Sequence, residues 1–231
     1  MIVYVTALFL AAKNNNYEIV NLLLPLAQNR ITESMFKKCN KLTEITIPES
    51  ITIINANSFY GCSSLKKLIL PPSITYIGDF AFQACSSLSY IELPSKLTFI
   101  GNSSFNGCTS LLKITIPPLI SVINDFVFYQ CTLLSEVEIQ SELKSIGKFA
   151  FGECASIKKF SFPSSVVYID ESAFQSCTSL SQLIFPEKPS FPIIGIHCFD
   201  NCSAIVEVEI PSSVTLISMH AFKDCVSLKK V

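Results

Sequence analysis

The stretch Phe59-Tyr60-Gly61-Cys62-Ser63-Ser64-Leu65-Lys66-Lys67-Leu68-Ile69-Leu70-Pro71-Pro72-Ser73-Ile74-Thr75-Tyr76-Ile77-Gly78-Asp79-Phe80-Ala81 decides the fold, because its pattern returns along nearly the whole chain. Cysteines stand at Cys39, Cys62, Cys85, Cys108, Cys131, Cys154 and Cys177, each 23 residues after the last. Cys202 follows after a two-residue insertion, and Cys225 restores the step. Three residues before these cysteines come Phe36, Phe59, Phe82, Phe105, Phe128, Phe151, Phe174, Phe199 and Phe222. Three residues after them come Leu42, Leu65, Leu88, Leu111, Leu134, Ile157, Leu180, Ile205 and Leu228. Nine registers in phase mark a repeat architecture, in which one unit cannot bury its apolar side chains alone but stacked units can.

Within the unit, Leu65 to Leu70 alternates as a strand with one buried face does. Proline follows at Pro48, Pro71, Pro94, Pro117, Pro163, Pro186 and Pro211, with Gln140 the exception in that column. Lacking an N–H, proline ends each strand at a fixed point. A second apolar pair comes next, Ile51 and Ile54 in one coil, Ile74 and Ile77 in another. Gly78, Gly101, Gly147 and Gly195, with Asn55, Asn124 and Asp170 in their column, are expected to supply a left-handed turn. Asp79 to Cys85 is expected to make a short helical turn on the opposite side. Successive strands pairing in parallel at roughly 4.7–4.9 Å would give a curved sheet over a continuous core.

The unit, with Ala-Phe, then Cys, Ser-Leu, Ile-x-Ile-Pro and Ile-Gly, resembles the BspA-like leucine-rich repeats, also called the Treponema-type class, over residues 28–231. That resemblance implies an α/β repeat protein, a right-handed leucine-rich-repeat solenoid of about nine 23-residue coils with a parallel concave sheet. It also implies a bacterial or protist surface antigen that adheres to host or extracellular proteins, and it carries over no catalytic residues. Residues 1–27 differ. Thr6 to Ala12, Tyr17 to Val20 and Leu22 to Leu24 resemble the two helices of an ankyrin repeat, with Phe9 where that repeat has His and Asn15 near its Gly. A helical hairpin capping the first coil is expected, and a signal segment over residues 1–12 is the competing interpretation, disfavoured by the missing positive start.

The chain has 231 residues, 49% of them hydrophobic, only 15% charged, with net charge −1. That balance gives no electrostatic reason to expect nucleic acid or an anionic membrane as partner. Mean hydropathy is +0.46, yet no apolar run approaches the roughly 18–20 residues of a spanning helix. No phosphate-cradling glycine loop, metalloprotease helix or nucleophile elbow occurs, so neither catalysis nor a cofactor is expected. The cysteine column suggests buried free thiols rather than a disulfide ladder, since translation along the stack keeps the Cβ atoms farther apart than a disulfide holds them. His197 and His220 share a column in adjacent coils, with Cys198, Asp200 and Asp224 nearby, but a metal needs three or four converging ligands and none is expected.

Function is then sought on the variable columns. Lys66, Lys67, Ile69, Tyr90, Glu92, Lys113, Glu136, Glu138, Lys158, Lys159, Gln182, Ile184, Glu207 and Glu209 should face outward from the concave sheet as a protein-binding face, with Tyr90 and Ile184 as apolar contacts. Sign alternates along it, and a merely solvated sheet is the bland alternative. The stretch Glu187-Lys188-Pro189-Ser190-Phe191-Pro192 is a second contact candidate. Asn102-Ser103-Ser104 and Asn201-Cys202-Ser203 are sequons meaningful only in a secreted protein. A cell-surface or secreted location is expected, with a cytoplasmic assembly scaffold as the alternative. Val231 ends one strand into a further register, so continuing sequence or pairing with another chain is expected there; the oligomeric state is left open.

Overall fold

The computed structural model describes residues 2–186 and 191–230. Two helices open the chain, α1 over Ile2–Lys13 and α2 over Tyr17–Leu23. Asn15, in the left-handed region at φ 56°, turns between them. Asn16 caps α2 by accepting a hydrogen bond from the Ile19 N–H at 3.2 Å. A single 3₁₀ turn, Leu24–Leu26, holds Pro25 in its first turn, where no N–H is needed. Leu8, Ala11, Ala12, Val20 and Leu24 belong to the same core cluster as Ile31 and Phe36 of the first coil. The expected helical cap is therefore present, packed against the coils.

One contact shows how the cap works. In later coils the N–H of this column donates to the preceding coil, as Lys66 does to the Thr43 carbonyl at 2.8 Å and Ser135 to Leu112 at 3.0 Å. Thr43 has no preceding coil. Its N–H and hydroxyl donate instead to the Asn15 Oδ1, at 3.1 and 3.3 Å. A single amide side chain closes the end of the ladder.

The coils carry two parallel ladders. The major ladder comprises Glu44–Thr46, Lys67–Ile69, Lys113–Ile116, Glu136–Ile139, Lys159–Ser161 and Gln182–Ile184. The minor ladder has two-residue strands such as Arg30–Ile31, Ile53–Ile54, Tyr76–Ile77 and Phe99–Ile100. Pairing keeps the sequence period, with Ile54 opposite Ile77 and Ile77 opposite Ile100. Between the ladders the proline carbonyl accepts from the residue three later, Pro48 from Ile51 at 3.0 Å and Pro94 from Leu97 at 3.0 Å, so proline both ends the strand and starts the turn.

Two local expectations are corrected. The column of Gly78, Gly101, Gly147 and Gly195 is not left-handed; the glycines with positive φ are Gly61 and Gly107. At Gly101 a Cβ would stand 2.4 Å from the Asp79 nitrogen, so glycine is there to let coils approach. Asp79 to Cys85 is likewise not helical. It is a run of turns in which Phe80 and Ala84 take φ 57° and 58°. The left-handed residues rotate alternate N–H groups along the stack: Phe80, Phe82 and Ala84 donate to the carbonyls of Asn102, Ser104 and Asn106 at 2.9, 2.8 and 2.7 Å. A helix would have consumed those donors locally.

The core is organised on the Phe and Cys columns. Ring centroids of successive phenylalanines lie 4.9 Å apart for Phe36 and Phe59, 5.3 Å for Phe82 and Phe105, and 5.4 Å for Phe128 and Phe151. All the cysteines are free and buried. From Cys62 onward the cysteines of the 23-residue column are more than small hydrophobes, because each thiol donates to the phenylalanine carbonyl of the coil before, as Cys62 to Phe36 at 3.0 Å and Cys154 to Phe128 at 3.1 Å.

Burial pushes the Cys108 and Cys177 thiols up to about 12 from the ordinary 9.0, despite the opposing backbone hydrogen bond. A folded-state pKa raised this way leaves stability intact below the unfolded value and loses it as pH rises through the window from about 9 to about 12. Thermal unfolding should therefore be insensitive to pH from 7 to about 9 and decline progressively above it. Intact-mass measurement after iodoacetamide at about pH 8 should find the native thiols unmodified and all 10 labelled in denaturant. Native labelling of the column, or mass loss from disulfides, would contradict this.

Candidate functional site

Alternation along the major ladder sets its outer face. In Lys113–Ile116 the pattern runs exposed, buried, partly exposed, buried, so Ile114 and Ile116 enter the core while Lys113 and Thr115 face out. Each of the fourteen residues expected on the outward face is exposed. Tyr90, with 59% of its surface accessible, and Ile69 and Ile184, at 45% and 42%, are the uncharged anchors among them.

The alternating charges are partly spent within the face. Lys113 reaches Glu136 at 3.4 Å and Glu138 at 3.9 Å, and the Thr115 hydroxyl donates to Glu138 at 3.2 Å. Lys230 pairs with Glu207. Such exposed pairs contribute little to stability but fix side chains and cancel local charge. Among the described residues, Lys66, Lys67, Lys158, Lys159 and Glu92 form no ion pair.

The major ladder is not continuous. Tyr90 to Leu93 forms no strand, although its register matches Lys67–Ile69 on one side and Lys113–Ile116 on the other. A second interruption separates Glu136–Ile139 from Lys159–Ser161. A depression lies at each. The first, of about 500 Å³, is lined by Tyr90, Glu92, Lys113 and a wall of Leu70, Pro72, Pro94, Pro117 and Pro118. The second, of about 410 Å³, is lined by Lys113, Glu136, Glu138, Lys159 and Ser161. Lys113 belongs to both. The structure thus gathers Tyr90, Glu92, Lys113, Glu136, Glu138 and Lys159 around two hollows, while Lys66, Lys67, Ile69, Lys158, Gln182, Ile184, Glu207 and Glu209 stand in their columns outside them.

Spacing alone does not show the proline wall: Pro94 and Pro117 are legible only as strand ends, and Pro72 and Pro118 stand outside that column. A second exposed column was also missed. On the minor ladder Tyr76, Phe99, Val122, Tyr168, Ile193 and Leu216 are exposed, with the Tyr76 and Phe99 rings stacked at 4.8 Å. Alternation within each Tyr-Ile or Phe-Ile pair carried the signal. Glu187 to Ser190 of the insertion, and Val231, lie outside the described residues. The following Phe191 is buried against Phe162 and Phe185, at 6.0 and 5.8 Å between centroids.

The two histidines do meet, their rings stacked at 4.9 Å. The His197 Nδ1–H donates to Asp200 Oδ2 at 2.7 Å, and the Gln175 amide donates to the same oxygen at 3.3 Å. Asp200 is buried, so these donors replace water around its carboxylate. Cys198 points into the core. Among the described residues no three His, Cys, Asp or Glu side chains converge as a metal site, and no helix is long and apolar enough to cross a membrane.

Comparison with known proteins agrees with this architecture. The family described as "BspA type Leucine rich repeat region" matches residues 14–133 and 100–229, in 6 copies. A leucine-rich-repeat protein of Treponema pallidum is similar at 27% identity and TM-score 0.53, over 76% of this chain and 71% of that one. One from Eubacterium ventriosum shares the fold at 17% identity and TM-score 0.58, over 88% and 82%. A leucine-rich cell surface protein of Faecalibacterium prausnitzii aligns over 87% and 82% at 21% identity and TM-score 0.49. No curated protein matches the chain.

His197→Ala should cost about 1–3 kcal/mol, since it strips the closest donor from a buried carboxylate. His197→Asn, which tolerates the left-handed backbone at φ 53° and keeps a donor, should cost less. Urea denaturation of the two variants checks the order, and equal stability would show that Asp200 does not depend on the imidazole.

Proposed function

Because the chain belongs to the BspA type leucine-rich-repeat family, we propose that it is a non-enzymatic protein-binding scaffold whose contact face is the outward column of the major ladder. The observation that carries this is the combination on one face of exposed anchors, Tyr90 and Ile184, with lysines that no carboxylate among the described residues neutralises, Lys158 and Lys159. Apolar anchors within a charged surround are the composition that protein interfaces favour. Side chains of the types that can serve as nucleophiles or acids are here committed to structure, as the Cys62 thiol is to the Phe36 carbonyl and His197 to Asp200.

In its finer form the proposal is adhesion: the chain acts at the cell surface or outside it, as a surface antigen that engages a host or extracellular-matrix protein. Its support is the family likeness and the exposed Asn102 of a sequon. Residues 1–27 serve as the cap and residues 28–231 as the binding solenoid. Surface biotinylation of intact cells separates this from the cytoplasmic alternative.

Reversing both lysines, Lys158→Glu with Lys159→Glu, should weaken binding to a crosslinked surface partner by roughly tenfold, mainly through the association rate. Both residues are exposed, so the melting temperature should not move. Unchanged binding in a stably folded double variant removes the contact from this face.

A further inference from the structure

Along the stack, the outward face of the major ladder has a centre. It lies between the strands Lys113–Ile116 and Glu136–Ile139, where Lys113 stands opposite Glu136 and Thr115 opposite Glu138. One coil further out on each side, Tyr90 and Glu92 correspond to Lys159 and Ser161, with Lys158 beside Lys159. Among the described residues, Glu92, Lys158 and Lys159 form no ion pair. At the next coil Lys67 and Ile69 correspond to Gln182 and Ile184, and both isoleucines are exposed. Coils equally far from the centre therefore carry compatible chemistry: base against acid, ring and acid against base, isoleucine against isoleucine. The match lapses only one coil beyond, where Glu44 corresponds to Glu207, and Lys230 already pairs that carboxylate. The two hollows flank the same centre, one toward Tyr90 and the other toward Lys159.

A face patterned in this way is complementary to its own copy turned end over end. A two-fold contact joins residue i of one copy to residue j of the other, and j to i. With the axis parallel to the strands and passing between Lys113 and Glu136, Lys113 lies over the partner's Glu136. Tyr90 and Glu92 then meet the partner's Lys159, and Ile69 meets the partner's Ile184, each contact occurring twice. A lysine gains there from both the ring and the carboxylate. The other face-to-face two-fold, with its axis along the stack, sets every coil on its own equivalent. Lys159 would then oppose Lys159, and Glu138 would oppose Glu138, so charge repulsion selects the antiparallel arrangement.

We propose that a second copy of this chain docks antiparallel on the outward face of the major ladder, as a two-fold dimer centred between Lys113 and Glu136. The proposal rests on the reading of that face as a protein-contact surface and names one partner for it. From Lys67–Ile69 to Gln182–Ile184, coils at about 4.8 Å and strand residues at about 3.3 Å give a footprint of roughly 29 by 13 Å. That places the pair among small, reversible interfaces rather than permanent ones.

The test is sedimentation equilibrium of the full chain from about 10 to about 500 μM, the range in which an interface of this size should associate. Wild type should pass from monomer to dimer. Glu92→Lys alone, and Lys158→Glu with Lys159→Glu alone, should each dimerise about tenfold or more weakly, because like charges then oppose twice per dimer. All three residues are exposed, so both variants should keep the wild-type melting temperature. An equimolar mixture of the two variants should recover the dimer, since each crossed contact again joins opposite charges. A wild-type chain that stays monomeric, a dimer that neither variant weakens, or a mixture no better than its components overturns the proposal. If the chain stays monomeric while the lysine double variant still loses its surface partner, the second copy is wrong and the scaffold reading stands. If the mixture recovers the dimer while the double variant keeps its surface partner, the second copy stands and the foreign partner leaves this face.

Discussion

Every coil is tied to the next through one phenylalanine backbone. Its N–H donates to the following coil, as Phe82 does to Ser104 at 2.8 Å and Phe151 to Ala173 at 2.8 Å. Its carbonyl accepts twice, from the N–H of its own coil's cysteine and from the thiol of the next; for Phe82 the donors are Cys85 at 3.1 Å and Cys108 at 3.2 Å. Its ring stacks on the rings before and after. Backbone pairing, thiol pairing and ring packing therefore share a node, and each works only if both neighbours keep the same period. This explains why residue identity is so strict at Phe and Cys and so loose between them. It also explains how phenylalanine tolerates the left-handed backbone at Phe80, Phe126 and Phe149, which costs roughly 1–2 kcal/mol in isolation: each such N–H gains a partner in the next coil.

What the node consumes, function cannot use. The thiols are protonated, buried and hydrogen-bonded, and the serine and threonine columns are partly tied to carbonyls of the preceding coil, as Thr98 is to Thr75 at 2.9 Å. Chemical variety survives only where side chains leave the stack. The major ladder offers charges and two hollows; the minor ladder offers aromatic and aliphatic edges. Both hollows fall where the major ladder lapses, so the irregularities of a regular fold mark its most individual surface.

Much of this was legible in the residues. The period, the strand that precedes each proline and the outward columns follow from spacing and alternation alone, and Lys113 meeting Glu136 follows from the 23-residue step. Less local features were not. Nothing in Asn15 announces that its side chain ends a ladder 28 residues away. The left-handed positions were assigned to glycines because glycine tolerates that backbone best, whereas inter-coil hydrogen bonds place it at Phe80 and His197 instead. The ladder's lapse at Tyr90-Ile91-Glu92-Leu93 was invisible because that stretch keeps the alternation of its paired neighbours. Pairing depends on the fit of two coils at once, and a single coil's sequence does not report it.

Native-state hydrogen exchange tests this dependence of each coil on the next most directly. If the phenylalanine node holds the stack, the amides of Phe82, Phe105, Phe128 and Phe151 exchange only through opening of the stack, while those of Tyr90 to Leu93, without backbone partners, exchange orders of magnitude faster. Phenylalanine amides that exchange as quickly as those of Tyr90 to Leu93 would contradict it, and would mean that the coils are held by something other than their shared node.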